Sequence, residues 1–171
     1  MISADFTQLT VRDAKEADLP VLTGNYLPES LLCDYLRLGQ HSALRCLVLL
    51  NHQEIIGFSL LVFRRPEFWP SAGDTRCLPE IVGLQILESE RGQGYGSAFV
   101  RAIEAEVAKA GHEQLYLTVE PTNNSRAYAL YRRLGYQQLQ PEPYHVVWEF
   151  TDSHGNIHRG ENWLVDMMKR L

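Results

Sequence analysis

The sequence predicts an α/β fold in one domain, a mixed central β-sheet flanked by helices. Short apolar runs bounded by turn residues alternate with segments of helical periodicity. A strand–helix–strand succession in the middle of the chain calls for a parallel pair, while polar or turn-rich segments joining neighbouring strands call for antiparallel ones. The length of 171 residues suits a single domain over 1–171, since a chain of about 150 residues buries about 70% of its unfolded surface without staples.

The elements follow in order. Leu9 to Arg12 reads as a short strand, and Lys15 to Leu22 and Pro28 to Leu38 read as helices. The second helix carries Leu31, Leu32, Tyr35, Leu36 and Leu38 on a broad apolar face. Arg45 to Leu50 and Ile55 to Phe63 read as strands joined by the polar Asn51-His52-Gln53-Glu54. Arg65 to Pro79, with three prolines, a glycine, Phe68 and Trp69, reads as an extended loop. Ile81 to Leu87 is apolar enough for a buried strand, and Gly83 within it marks a bulge or a close backbone approach. Ser97 to Ala110 reads as a helix because Phe99, Ile103 and Val107 recur at four-residue spacing and Gly111 stops it. Leu115, Leu117 and Val119 alternate with polar neighbours as a strand. Ser125 to Leu134 reads as a helix with Asn124 as N-cap, Arg132 and Arg133 in the last turn and Gly135 at the end. Strands around Tyr144 to Phe150 and Trp163 to Met168 close the chain, separated by the turn-rich Asp152-Ser153-His154-Gly155-Asn156.

Composition narrows the function. Lys plus Arg number 16 against 21 Asp plus Glu, a net charge of -5, and the longest basic runs are the pairs Arg64-Arg65 and Arg132-Arg133. Nucleic-acid binding through phosphate neutralisation needs a basic excess or stripe, so this class is disfavoured. The most continuous apolar run, Leu44 to Leu50, falls far short of the ~20 residues that span a bilayer, and no membrane association is expected. Cys33, Cys46 and Cys77 are few and widely spaced, and the N-terminus has neither a basic nor an apolar leader region, so the expected setting is reducing and cytoplasmic.

The chemistry concentrates in Arg91-Gly92-Gln93-Gly94-Tyr95-Gly96, between a buried strand and an amphipathic helix. Alternate glycines let the backbone N–H groups converge, and the following helix adds about half a positive charge at its N-terminus. That is a cradle for phosphate; the alternative is a tight turn without a ligand. A mononucleotide loop requires Gly-Lys-Ser/Thr at the helix start, whereas Gly96 precedes Ser97-Ala98. A dinucleotide fold requires G-x-G-x-x-G directly after the strand, whereas the spacing here is G-x-G-x-G after Leu87-Glu88-Ser89-Glu90.

The stretch from Ile81 to Tyr136 resembles the GNAT superfamily of acetyl-CoA-dependent N-acyltransferases. Its carriers are R-G-x-G-x-G at Arg91, Gly92, Gly94 and Gly96, then N-x-x-A-x-x-L-Y-x-x-L-G-Y at Asn124, Ala127, Leu130, Tyr131, Leu134, Gly135 and Tyr136. The resemblance implies a GNAT fold and transfer of acetyl from acetyl-CoA to a primary amine in a direct ternary complex. It places the pyrophosphate on the backbone of Gly92, Gln93, Gly94, Tyr95, Gly96 and Ser97, with charge from Arg91. The pantetheine arm would lie along Leu84, Gln85, Ile86 and Leu87, and a backbone N–H near Ile86 would face the thioester oxygen.

The resemblance also implies an acid and a base. Tyr131 stands in the proton-donor position, although it also belongs to an apolar helical face. Glu80 is the candidate base, because an alkyl amine with a pKa near ~10.4 must lose a proton before attack; a role as a loop end or ion-pair partner stays open. Glu120 is the alternative base or a carboxylate that recognises the amine. Asn124 would contact the cofactor or fix the local backbone.

No metal is implied: His154 and His158 are separated by turn residues, and no cysteine pair completes a site. Nothing in the spacing selects a cysteine as nucleophile. The acceptor pocket is expected between the N-terminal helices, the Phe68-Trp69 loop and the C-terminal hairpin with Trp148, Asp152 and Glu161. A small-molecule or amino-acid-like amine is the first expectation for acceptor, a protein N-terminus or lysine the second, and a non-catalytic acyl-CoA sensor is the rival from another class. Edge strands in the C-terminal half are candidates to pair in a homodimer.

Overall fold

The computed structural model describes residues 8–39, 44–64 and 78–171. Its strands are β1 (Leu9–Asp13), β2 (Leu44–Asn51), β3 (Glu54–Val62), β4 (Glu80–Ile86), β5 (Gln114–Val119), β6 (Gln137–Gln138), β7 (Tyr144–Thr151) and β8 (Ile157–Arg170). Its helices are α1 (Leu19–Asn25), α2 (Glu29–Gly39), α3 (Tyr95–Lys109) and α4 (Ser125–Arg133). The Phe68-Trp69 loop and Cys77 lie outside the described residues.

The strands form one sheet in the order β1-β2-β3-β4-β5-β8-β6, with β7 paired to the N-terminal half of β8. The β4–β5 pair is parallel, as the βαβ succession requires, and the other described pairs are antiparallel. β2 and β3 turn at His52 (φ 47°) and Gln53 (φ 74°), the left-handed pair that suits the twist of a two-residue hairpin.

Strand parity divides the core between the two faces. Leu115, Leu117 and Val119 of β5 pack with Phe99, Val100, Ile103 and Val107 of α3 and Tyr131 of α4. On the opposite face, Cys46, Val48, Phe58, Leu60 and Val62 pack against Leu22 of α1 and Leu31, Leu32 and Tyr35 of α2.

Several boundaries differ from the sequence reading. The helix expected over Lys15 to Leu22 is a 3₁₀ turn, Glu16–Asp18, followed by α1. Asp18 accepts the Lys15 N–H at 2.7 Å and the Arg12 guanidinium at 2.6 and 2.9 Å, and Pro20 at the start of α1 has no N–H to donate. The α3 helix starts at Tyr95 rather than Ser97, because Gly94 in the left-handed region sets its cap. β8 begins at Ile157 rather than Trp163, carried by pairing with β7 through the polar His158, Arg159, Glu161 and Asn162. The two-residue β6 was not expected.

Candidate active site

The site starts where β4 leaves β5. Their register runs through Glu80 opposite Tyr116 and Ile81 opposite Leu117, and then pairing stops. Just beyond, Gly83 takes φ +62°, and β4 gains a residue against β3, whose register slips between Phe58 and Leu60. A bulge bends and twists its strand, which separates β4 from β5. A cleft of about 430 Å³ opens there, with Val82, Gly83 and Leu84 on one side and Thr118, Val119 and Glu120 on the other. Asn124 at the N-cap of α4 and the α4 residues Ala127 and Tyr131 form one wall, and Trp148, Phe150, Asn162 and Tyr35 form the other.

At the far end of β4, the Leu87 N–H donates to Ile56 O at 2.9 Å. Strand alternation then turns the peptide groups of Ile86 toward the open edge. There the Arg91 Nε–H donates to Ile86 O at 3.0 Å, tying the glycine loop to the strand. Gly92 (φ +81°) and Gly94 (φ +92°) hold left-handed conformations that other residues adopt only at a cost. The first bond into α3 runs from Ala98 N–H to Gly94 O at 3.1 Å, so the N–H groups of Tyr95, Gly96 and Ser97 precede the intrahelical ladder at the positive end of the dipole.

Other members of the expected cradle contribute backbone rather than side chains. Tyr95 is buried, its hydroxyl accepting from Asn51 at 3.2 Å, and the Gln93 amide donates to Glu90 at 3.2 Å. A Cβ on Gly96 would lie 3.4 Å from Leu130 Cδ2, so this glycine keeps α3 close to α4. Gln85 sits opposite Phe58 in the β3–β4 ladder, and Leu84 lines the cleft.

Tyr131 lines the cleft with 6% of its surface exposed and meets Tyr136 edge-on, ring centroids 5.7 Å apart. Burial pushes its phenol up to about 12. It packs in the core and also borders the cleft. Neighbouring Tyr128 donates to Gln138 at 2.8 Å. Asn124 stands at the N-cap of α4 as expected, but its side chain makes no capping bond, and it borders the cleft.

Glu80 is 1% exposed and lies behind the cleft lining, its Oε1 3.5 Å from the Thr118 hydroxyl. Glu120 lines the cleft itself, accepting from Asn123 at 2.7 Å and from Asn162 at 3.4 Å. The Asn162 carbonyl in turn accepts the Trp148 indole N–H at 3.0 Å. Two residues expected at the pocket are elsewhere. Asp152 is buried in the β7–β8 turn, accepting the His154 and Asn156 N–H groups at 3.0 and 2.9 Å and facing His158 Nε2 at 2.9 Å. Glu161 is on the outward face beside His145, at 3.3 Å. Thr118 and Asn162 were missed; the parity of β5 could have found Thr118, whereas Asn162 lies in a half-strand with no apolar signal. Among the described residues, no group of three or more His, Cys, Asp or Glu is arranged to hold a metal ion, and no helix is long and apolar enough to cross a membrane.

The acetyltransferase (GNAT) family profile matches residues 10–136, about three quarters of the sequence, and the chain belongs to that family. No curated protein sequence matches it. Solved structures share its fold at low identity. The ribosomal-protein-alanine N-acetyltransferase from Brucella melitensis is 20% identical with a TM-score of 0.67, the match covering 95% of this chain and 99% of that one. An acetyl transferase from Salmonella typhimurium that modifies the N-terminal serine of a 50S ribosomal subunit protein is 16% identical with a TM-score of 0.69, covering 96% of each chain. A GNAT family acetyltransferase from Elizabethkingia anophelis with acetyl-CoA bound is 16% identical with a TM-score of 0.60, covering 96% of this chain and 99% of that one.

Proposed function

We propose that this protein transfers the acetyl group of acetyl-CoA to a primary amine, both substrates meeting in the cleft between β4 and β5. The observation that carries the reading is the continuity of three features along β4: the glycine cradle, the open strand edge and the cleft containing Tyr131. The cradle suits a pyrophosphate, since its donors are backbone N–H groups and a helix end rather than a basic surface. The pantetheine arm fits the unpaired edge from Leu84 to Leu87.

Bound acetyl-CoA supplies a thioester carbonyl and a thiolate leaving group. The Ile86 N–H, turned to the open edge, is placed to stabilise charge on the carbonyl oxygen. Thr118 donates its hydroxyl proton to Glu80 and keeps lone pairs for the ammonium of the acceptor. An amine proton passes to Thr118 Oγ1 as the Thr118 proton passes to Glu80 Oε1, freeing the nitrogen lone pair for attack. Once the C–N bond has formed, the nitrogen sheds its second proton, which neutralises the thiolate released as the C–S bond breaks, and Tyr131 donates a hydrogen bond to that sulfur. With its phenol at about 12 and an alkyl thiol near about 8.5, complete transfer would be uphill by about 5 kcal/mol, so Tyr131 acts by hydrogen-bond donation as the C–S bond breaks.

The test is release of free thiol from acetyl-CoA across a panel of amines. Amine-dependent release supports catalysis; CoA binding with no release in any amine identifies a sensor. A protein N-terminus is the second reading, favoured by the two structural neighbours described above as acting on ribosomal proteins.

A further inference from the structure

We propose that the acceptor is a small cationic amine with an aromatic or bulky apolar body and no carboxylate beside the amine, and that Glu120 is the group that receives its ammonium. This rests on the acetyl-transfer reading above and specifies its second substrate.

Among the described residues that line the cleft, Glu120 is the one charged group. Thr118 and Glu120 alternate with the core residues Leu117 and Val119, so they face the side walled by α2 and β7. Glu120 is in the lining and Glu80 stands one hydrogen bond behind Thr118. Among the described residues that line the cleft there is no Lys, Arg or His. A free amino acid would bring its α-carboxylate toward Glu120, and no described lining residue offers it a cation. Like charges about 6 Å apart at an effective dielectric of about 20 repel strongly enough for roughly a 100-fold penalty.

The wall facing Glu120 is aromatic and fixed. The Trp148 indole lies over Gly160, where an added Cβ would come within 2.6 Å of Cζ2, and it stacks beside Phe150 at 6.1 Å. Asn162 registers this wall against the carboxylate, accepting from Trp148 with its carbonyl and donating to Glu120 with its amide. An ammonium held between Glu120 and the Thr118 hydroxyl places the carbon body of the same molecule against Trp148, Phe150 and Tyr35, where apolar contact and the indole face both favour it. The volume of about 430 Å³ falls in the range of small-molecule sites.

The experiment compares phenethylamine, phenylalaninamide, phenylalanine and a short peptide with N-terminal Phe as acceptors, with acetyl-CoA binding measured separately by calorimetry. We expect kcat/KM for phenethylamine and the amide to exceed that for phenylalanine by about 100-fold or more. Glu120→Gln should reduce that ratio to below about tenfold, the like-charge penalty having gone. Asn162→Ala, a change in a positioning residue, should raise KM for phenethylamine several-fold with kcat little changed and KM for acetyl-CoA unaltered. Phenylalanine acetylated as well as phenethylamine, or a ratio unmoved by Glu120→Gln, overturns the proposal. A peptide preferred more than about tenfold overturns it in favour of a protein N-terminus. Thiol release with other amines but none with this panel also overturns it and leaves acetyl transfer standing, whereas failure to bind acetyl-CoA removes the underlying reading.

Discussion

The side chain of Arg91 and the carbonyl of Ile86, at opposite ends of the turn between β4 and α3, are joined by a hydrogen bond of 3.0 Å from Nε. Arg91 thus ties the glycine loop to the end of β4. A purely electrostatic arginine would be replaced by lysine with little loss, whereas a bond from the guanidinium Nε would not. Arg91→Ala and Arg91→Lys are both expected to raise KM for acetyl-CoA by about tenfold, the scale of one charge-assisted hydrogen bond, with kcat within about twofold. Steady-state kinetics check this, and rescue by lysine would assign the residue to charge alone.

Tyr131→Phe keeps the packing against Tyr136 and removes the hydroxyl. The expected result is a fall in kcat of about 100-fold, with both KM values nearly unchanged. Because burial raises the phenol to about 12, its neutral, donating form persists until pH approaches that value. The wild-type rate should therefore show no alkaline fall attributable to Tyr131 below about pH 11. An alkaline limb near pH 9 to 10 that disappears in the Phe variant would contradict this.

Gly160 is opposite Trp148 in the β7–β8 ladder, and the indole occupies the space where a side chain would stand. Gly160→Ala is expected to displace the ring and destabilise the fold by about 1 to 3 kcal/mol, as overpacking does. Thermal melting gives the stability change, and a rise in acceptor KM without a rise in acetyl-CoA KM locates the damage to the aromatic wall.

Asp152 carries an acid-dependent part of the stability. Burial alone pushes its carboxyl up, but bonds from His158, Ser30 and Asn156 side chains and the Asn156 N–H outweigh it and hold the group well below the usual carboxylate range. A depressed folded value means stability that is present above the unfolded value of about 4 and is lost as pH falls below it. Asp152→Asn should melt lower than wild type at pH 7, and the difference should shrink as pH is lowered below about 4. Melting curves over that range decide it; a difference that grows on acidification would reverse the sign.

The parts of the molecule legible in sequence are those where one face of an element is apolar. Phe99, Ile103 and Val107 define α3, and Leu115, Leu117 and Val119 define β5, because burial imposes the helical and strand periods. The glycine loop was legible because positive φ at Gly92 and Gly94 leaves a mark in residue type. What escaped depends on partners distant in sequence. Asp34 lies within the apolar face of α2 yet is buried, because the Ser153 N–H, 119 residues away, donates to it at 2.9 Å. The first half of β8 is polar and forms a strand through its ladder with β7, so neither its start nor the place of Asn162 was visible. The carboxylates Glu80 and Glu120 were both identified, but their division, one behind the wall and one in it, follows from where the β4–β5 pairing ends.

Titration calorimetry of the protein with acetyl-CoA, run beside Gly94→Val, tests the central claim most directly. The chain should bind acetyl-CoA at one site per molecule, and Gly94→Val, which forces a β-branched residue to φ +92°, should weaken binding by at least about tenfold, a strain of about 1 to 3 kcal/mol at the cradle, while the protein stays folded. No heat of binding in the wild type, or equal affinity in a folded Gly94→Val protein, would contradict the account.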